Sequence, residues 1–193
     1  IRVIATAHNA NDNAEAVLFN LCRGTGVKGI SGIPVKRYEE GFLIIRPIIK
    51  ADKADILDYL EKNNLSYVTD GTNDDTDYTR NYIRHEILPR LARINTAFVE
   101  NISNFSDILS WTDEYISERS DEFLERFSNG STVDRNAFLS LPKALLANVI
   151  QKLSGVTVSY KVTELICKFA KNASVGQRMD ISADCVLYHN GKT

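Results

Sequence analysis

The sequence has 193 residues, and its 44% hydrophobic content is enough for a buried core in one large domain or two small ones. It has no apolar run near the roughly 20 residues of a membrane-spanning helix, and its three cysteines lie far apart without a CxxC pair, which argues against a disulfide framework, a zinc site and an iron–sulfur cluster. We therefore expect a cytoplasmic globular protein without membrane contact, and we assign no metal ligands. The net charge of −2 offers no support for nucleic-acid binding.

The first half of the chain alternates short apolar runs with amphipathic segments. Apolar runs predict strands at 1–4, 42–45 and 67–68, and helical periodicity predicts helices at 12–22 and 52–62. This alternation is typical of an α/β protein with a doubly wound sheet. Because ligands of open α/β sheets bind beyond the carboxyl ends of the strands, we look for chemistry first after the first strand.

The second half has the periodicity of helices. Apolar residues recur at helical spacing over 97–127, which predicts one helix of roughly 45 Å at ~1.5 Å per residue. We expect Trp111 and Tyr115 on this helix to be packed rather than free to stack on bases. Further amphipathic stripes predict helices at 134–153 and around 162–169, followed by two short strand-like runs within 176–188.

Three side chains at the first strand-to-helix turn are candidates for catalysis. If the helix starts near Asp12, Asp12 and Glu15 share one face and can hold an amino group or a phosphate-bound magnesium, while His8 can act on a proton nearby. The same pattern fits a helix cap, with Asp12 as the N-cap and Glu15 at the third position of a capping box. The spacing by itself favours neither interpretation.

A glycine-rich segment follows this helix. Residues 23–32 hold four of the ten glycines, and glycines let backbone amides approach an anion closely while Arg23 adds a donor for phosphate. Nucleotide binding is therefore one interpretation. The other is that Gly24 merely ends the helix and the remaining glycines make turns, since the segment has no P-loop lysine.

A basic cluster lies after the acidic segment 70–77. Helical spacing places Arg80 and Arg84 together, and Pro89 is expected to bend or interrupt the helix beyond them. Because no acids recur at the same spacing, one interpretation is that the two arginines bind an outside anion. The alternative is a solvated face that Glu86 and the acidic segment partly neutralise.

Five ordered motifs in the first half together resemble the tRNA(Ile)-lysidine synthetase family of N-type ATP pyrophosphatases. They are HxxxDxxE at His8, Asp12 and Glu15, RGTG at 23–26, the Arg-Pro-Ile strand end at 46–48, the acidic Asp-Gly-Thr-Asn loop at 70–73, and RNxxR at Arg80, Asn81 and Arg84. Five motifs in order are more specific than any one of them. The resemblance implies the C-terminal half of a Rossmann-like ATP pyrophosphatase domain at 1–92, a linker helix at 93–130 and a small, mostly helical tRNA-binding domain with short C-terminal strands at 131–193.

The resemblance also implies a two-step reaction on a CAU-anticodon isoleucine tRNA. ATP, with Mg²⁺, adenylates the carbonyl oxygen at C2 of the wobble cytidine and releases pyrophosphate, and the amine of L-lysine then displaces AMP to give lysidine. The implied catalytic residues are His8, Asp12 and Glu15. The residues implied to bind ATP or lysine are Arg23, Gly24, Gly26, Arg80, Asn81 and Arg84, of which Arg84 suits a carboxylate or a phosphate.

The sequence departs from the family pattern at two places. Ala16 stands where the family usually has Thr, so a hydroxyl contact is lost or replaced there. The family's SGGxDS phosphate loop should precede His8, and we expect a chain without it not to turn over ATP and to expose a sheet edge at which a homodimer can form. Two alternatives stay open: a non-catalytic tRNA-binding fragment, or a related PP-loop enzyme such as a tRNA cytidine thiolase, which typically needs closely spaced cysteines.

Charge is distributed unevenly over the second half. Residues 93–135 contain four basic and nine acidic residues, for a net charge of −5, whereas residues 136–193 contain seven basic and three acidic residues, for a net charge of +4. The distal part is therefore the better surface for RNA, with phosphate contacts that weaken as salt rises. The candidate residues are Lys143, Lys152, Lys161, Lys168 and Lys171. The alternative is that these lysines simply lie on solvated helix faces.

Overall fold

The computed structural model describes residues 2–68, 79–183 and 185–191. The chain forms two compact units, Ile1–Asp113 (unit 1) and Glu114–Thr193 (unit 2), and the boundary falls within the helix Phe98–Phe127. Over the described ranges, no helix has the combination of length and apolar character that crossing a membrane requires.

Unit 1 contains a three-stranded mixed sheet. β1 (Arg2–Ala5) pairs in parallel with β3 (Phe42–Ile45), and β2 (Lys36–Glu39) pairs antiparallel with β3, so the strand order is β1-β3-β2. The predicted α/β class and the two apolar strands are confirmed. Sequence reasoning missed β2, because Lys-Arg-Tyr-Glu carries little apolar signal and the strand forms by pairing back onto β3 through the tight turn at Glu40 and Gly41.

Three helices accompany the sheet. They are α1 (Ala10–Arg23), α2 (Val27–Ile30) and α3 (Lys53–Lys62). The side chain of Asp52 caps α3 by accepting from the Ala54 N–H at 2.8 Å, which confirms the helix predicted there. The buried side of α1 carries Ala14, which packs with later helices in the core of unit 1.

A helical stretch with one irregular turn comes next. It consists of α4 (Thr79–Tyr82), a π-helical turn (Ile83–Ile87) and α5 (Leu88–Ile94). The helix continues after Pro89, so the predicted interruption does not occur. The irregular turn is the π turn, which lies before the proline. A proline ring clashes with the carbonyl four residues back in a regular α-helix, and the wider π turn relieves that clash.

The helix predicted at 97–127 is confirmed as α6 (Phe98–Phe127). Trp111 and Tyr115 are 65% and 60% exposed, so the prediction that they are packed is wrong. Ser106 is buried on the inner face of α6, and at 100° per residue Tyr115 lies half a turn around the helix from it. The buried face of α6 is thus narrower than the apolar pattern of the sequence suggests.

The strand predicted at 67–68 is also wrong. Tyr67 and Val68 belong to no strand and are 60% and 95% exposed. A strand exists only through hydrogen bonds to a partner, and none of the described strands pairs with this segment. The acidic segment 70–77 lies outside the described residues.

Unit 2 is mostly helical, with two small hairpins. Its elements are β4 (Ser128–Asn129), β5 (Thr132–Val133), α7 (Arg135–Ser140), α8 (Lys143–Ser154), α9 (Tyr160–Asn172), β6 (Arg178–Ser182) and β7 (Cys185–Tyr188). The single helix predicted at 134–153 is in fact two, because Leu141 is extended ahead of Pro142, a residue that disfavours helical backbone before it. Phe138, Val149 and Ile166 form the centre of the core.

Candidate active site

The first turn of α1 is held by a capping box that differs from the predicted one. The Asn9 side chain accepts from the N–H groups of Asn11 and Asp12 at 2.9 and 3.2 Å, and the Asn9 N–H donates to Asp12 Oδ2 at 3.0 Å. Asp12 is therefore the third residue of the helix rather than its cap, and the Asp12–Glu15 capping box is wrong. Since the box uses Oδ2 of Asp12, its Oδ1 is left for other partners.

Glu15 lies one turn further along α1 and is buried, with 1% of its surface exposed. Its Oε1 accepts from Arg84 Nε at 2.6 Å, and its Oε2 accepts from Arg84 Nη2 at 2.9 Å and from Arg80 Nε at 3.3 Å. Arg84 thus grips the carboxylate with two parallel bonds, the strongest geometry for this ion pair. A carboxylate buried this deeply needs such partners to stay charged.

Arg84 also reaches the second acid of the helix. Its Nη2 donates to Asp12 Oδ1 at 3.3 Å, so one guanidinium connects both carboxylates. The hydrogen bond to Glu15 raises the pKa of Arg84 above its ordinary value, and the charges of Glu15 and Asp12 act in the same direction against the desolvation of the side chain. Arg84 is therefore a permanent cation at the centre of the cluster.

Neither interpretation of the basic cluster included the pairing of Arg84 with Glu15 and Asp12. The acids that neutralise Arg84 come from α1, 69 and 72 residues earlier, and no helical spacing within 79–89 reveals them. Arg80 is different, since its side chain is 49% exposed and uses only Nε. Within the described part of the chain, the two terminal nitrogens of Arg80 have no partner, so they remain available to an anion.

His8 lies between the end of β1 and the start of α1. Its Nδ1 is 2.8 Å from the hydroxyl of Thr6, and both side chains are half-buried. This bond orients the ring and leaves Nε2 as the nitrogen that can meet a reacting group. The imidazole and the two acids therefore belong to one strand-to-helix turn, with Arg80 and Arg84 added from α4 and the π turn.

The glycine-rich segment starts where α1 ends. Gly24 has a φ of 78° and its N–H donates to the Leu21 carbonyl at 3.2 Å, so it does terminate the helix. The next two N–H groups, of Thr25 and Gly26, have no acceptor among the described residues. Arg23 is exposed beside them, its guanidinium over the Phe19 ring at 5.3 Å. The segment both ends a helix and presents donors.

Comparison with known proteins shows what this chain is similar to. Residues 1–91 match the family model of the PP-loop domain. Proteins named tRNA(Ile)-lysidine synthase match at 37% identity over 123 residues in Porphyromonas gingivalis, 32% over 197 residues in Clostridioides difficile and 47% over 90 residues in Coxiella burnetii. The chain is similar to the tRNA(Ile)-lysidine synthases. The three matches cover 64%, 96% and 47% of the chain, which spans 26%, 42% and 20% of these relatives.

Arg46 belongs to one of the five motifs that resemble the lysidine synthetases, but the sequence analysis did not include it among the candidate site residues. Arg46 directly follows β3 and is 7% exposed. Its Nη1 donates to the Pro34 carbonyl at 2.8 Å, while its Nε has no hydrogen-bond partner among the described residues. Burial lowers the pKa of Arg46, as does the nearby charge of Arg37, against the effect of Glu39. Its place at the strand end, in the Arg-Pro-Ile motif, was the available signal.

The lysines predicted to contact tRNA differ in their surroundings. Lys152 donates to Ser117 Oγ at 2.9 Å and pairs with Asp121 at 2.5 Å, so the folded unit already uses its charge. Lys143 is 3.9 Å from Glu164, a long pair at an exposed position. The remaining three, all exposed on α9 and without an ion-pair partner in the described ranges, are Lys161, Lys168 and Lys171.

Proposed function

We propose that this protein acts in the ATP-dependent attachment of lysine to C2 of the wobble cytidine of a CAU-anticodon isoleucine tRNA. In the first step the C2 carbonyl oxygen attacks the α-phosphorus of ATP and pyrophosphate leaves. In the second step the lysine amine attacks C2, the bond between C2 and the AMP oxygen breaks, and the amine loses a proton. The names of the relatives and the geometry of unit 1 support this proposal.

One observation carries the proposal more than any other. Asp12, Glu15, Arg80 and Arg84 come from two of the five family motifs, and hydrogen bonds of 2.6 to 3.3 Å join them beside the end of a parallel strand. Ligands of α/β sheets bind at such strand ends. The terminal nitrogens of Arg80, exposed next to this cluster, are left to bind an anionic group of the substrate.

The two acids have different parts in this proposal. Glu15 is buried and all its described contacts are with arginines, so it holds Arg80 and Arg84 in place rather than touching substrate. The side chain of Asp12 is 20% exposed, and the bond to its Oδ1 is long at 3.3 Å. We assign Asp12 Oδ1 to the ammonium group of lysine, and Arg80 to the carboxylate of lysine or to a phosphate.

The glycine-rich segment and His8 complete the chemistry. The N–H groups of Thr25 and Gly26, with Arg23, face the phosphates of ATP and stabilise the charge that develops there. His8, oriented by Thr6, accepts the proton that the attacking amine loses.

The described residues do not fit a protein-held Mg²⁺. Their three-dimensional arrangement brings no three His, Cys, Asp or Glu side chains together. Both oxygens of Glu15 accept from guanidinium groups, and Oδ2 of Asp12 accepts from a backbone N–H. We propose that Mg²⁺ enters with the phosphates of ATP, because this ion is usually bound through substrate phosphates.

We further propose that α9 contacts the tRNA. Lys161 and Lys168 are seven residues apart on one face of the helix, roughly 10 Å at ~1.5 Å per residue. Lys152 is removed from the predicted set because Asp121 and Ser117 already hold its ammonium group. Replacing Lys161 and Lys168 by Gln is expected to weaken tRNA binding and to flatten its salt dependence, whereas Lys152→Gln is the matched control.

The decisive experiment uses the protein as its gene encodes it, incubated with ATP, lysine and CAU-anticodon isoleucine tRNA. The expected products are AMP, pyrophosphate and tRNA nucleosides whose mass shows lysine attached to cytidine, and AMP release should require lysine. Asp12→Asn should reduce lysidine formation at least about tenfold, whereas Asp58→Asn, which removes an exposed acid of α3, should not.

Three outcomes would contradict the proposal. If tRNA binds but no pyrophosphate is released, the protein is a non-catalytic tRNA-binding protein. If the cytidine gains sulfur, the activity is that of a thiolase. If Asp12→Asn and Asp58→Asn form lysidine at equal rates, the assignment of Asp12 is wrong.

A further inference from the structure

Two asparagines of α1, seven residues apart, fasten the glycine-rich segment to the helix. Asn20 Nδ2 donates to the Gly29 carbonyl at 2.7 Å, and Asn13 Oδ1 accepts from the Ile33 N–H at 2.7 Å. Because seven residues are two helical turns, both side chains leave α1 on the same side. They therefore hold the segment at its middle and at its far end.

The bond from Asn20 to Gly29 is connected to the proposed phosphate donors, the N–H groups of Thr25 and Gly26. The Gly29 N–H donates to the Gly26 carbonyl at 3.1 Å, so the Asn20 amide, Gly29 and Gly26 form a continuous chain of hydrogen bonds. Gly29 is also tightly packed, since a Cβ there would lie 1.8 Å from Thr25 Oγ1. The positions of Thr25 and Gly26 are thus tied to Asn20.

The far end is fixed independently of Asn20. Asn13 is 4% exposed, and its Nδ2 donates to Ser106 Oγ at 3.1 Å while its Oδ1 holds Ile33. Gly32, with a φ of 79°, brings the backbone so close that a Cβ would lie 2.1 Å from Asn13 Oδ1. Loss of the Asn20 bond alone therefore frees the middle of the segment without releasing its ends.

We propose that Asn20 is a positioning residue for the nucleotide. Its amide keeps the N–H groups of Thr25 and Gly26 aimed at the site where the phosphates of ATP bind, so that binding does not have to order the loop. The inference rests on the proposed function, since it takes the N–H groups of this segment to contact the phosphates of ATP. Asn20 itself touches neither phosphate nor lysine.

The test compares Asn20→Ala with Asn63→Ala. Asn63 Nδ2 donates to the Tyr59 carbonyl at 2.7 Å at the end of α3, a bond of the same chemistry and length that holds no glycine segment. In the protein as its gene encodes it, Asn20→Ala should raise the dissociation constant of ATP about three- to tenfold, the loss expected for one hydrogen bond. The KM for lysine should not change, and Asn63→Ala should bind ATP as the unsubstituted protein does.

Each alternative result has a defined meaning. If Asn20→Ala lowers the melting temperature but binds ATP within twofold of the unsubstituted protein, Asn20 is only a structural residue and the inference is overturned. If Asn63→Ala weakens ATP binding equally, the effect is general loosening and the inference is overturned as well. If the unsubstituted protein does not bind ATP, the proposed function fails, and the inference fails with it.

Discussion

Replacing Glu15 by Gln tests the centre of the cluster, because it keeps the shape of the side chain and removes only its charge. In the variant, one side-chain oxygen becomes an NH₂ group that faces the donors of Arg84 or Arg80. Breaking a fully buried ion pair costs about 3–5 kcal/mol. Arg84 and Arg80 are 25% and 49% exposed, so water partly replaces the lost carboxylate, and we expect a loss of roughly 2–3 kcal/mol.

Urea denaturation followed by circular dichroism measures this loss. The matched control is Glu86→Gln, whose carboxylate pairs with Arg90 at 2.9 Å on an exposed helix surface and should change the free energy of unfolding by less than about 0.5 kcal/mol. If the two variants differ by less than about 0.5 kcal/mol, the burial and bidentate geometry of Glu15 do not stabilise the fold.

Three further predictions concern other parts of the chain. Gly32→Ala should lower the free energy of unfolding by roughly 2–4 kcal/mol in urea denaturation, because a left-handed φ and the contact with Asn13 both oppose a Cβ; no loss would contradict this. Burial raises the pKa of Cys167, as does the charge of Glu164. Because this thiol then has less thiolate at pH 8, it should react with a maleimide at least about tenfold more slowly than the exposed Cys22. Equal reaction rates would contradict the burial of Cys167. Asp134→Ala should cost about 1 kcal/mol in the same urea assay, because Asp134 caps α7 by accepting from the Ala137 N–H, and an unchanged midpoint would contradict that role.

Local patterns predicted well those elements whose signal lies within the element itself. The strand at Phe42–Ile45 and the helices α3, α6 and α9 follow from apolar runs and helical periodicity. Prediction failed where pairing or packing decides. The polar segment Lys36–Glu39 becomes a strand only beside β3, and 67–68 belongs to none of the described strands.

The candidate site shows the same division. Sequence patterns indicated His8, the acids of α1 and the arginines as candidates, and offered two interpretations of Asp12. The structure combines both interpretations, since Asp12 Oδ2 belongs to the cap while Oδ1 meets Arg84. Asn20 was missed because an asparagine in a helix has no distinctive pattern until its backbone partner is known.

The amino-acid sequence by itself determined the kinds of groups that this protein can use, and the order in which they occur, because motifs and periodicities are properties of neighbouring residues. Only the tertiary structure decided which of these groups meet. Arg84 reaches acids 69 and 72 residues away, and Lys152 is neutralised by an acid on another helix. Charge pairing depends on distance in space, and one-dimensional spacing does not specify that distance.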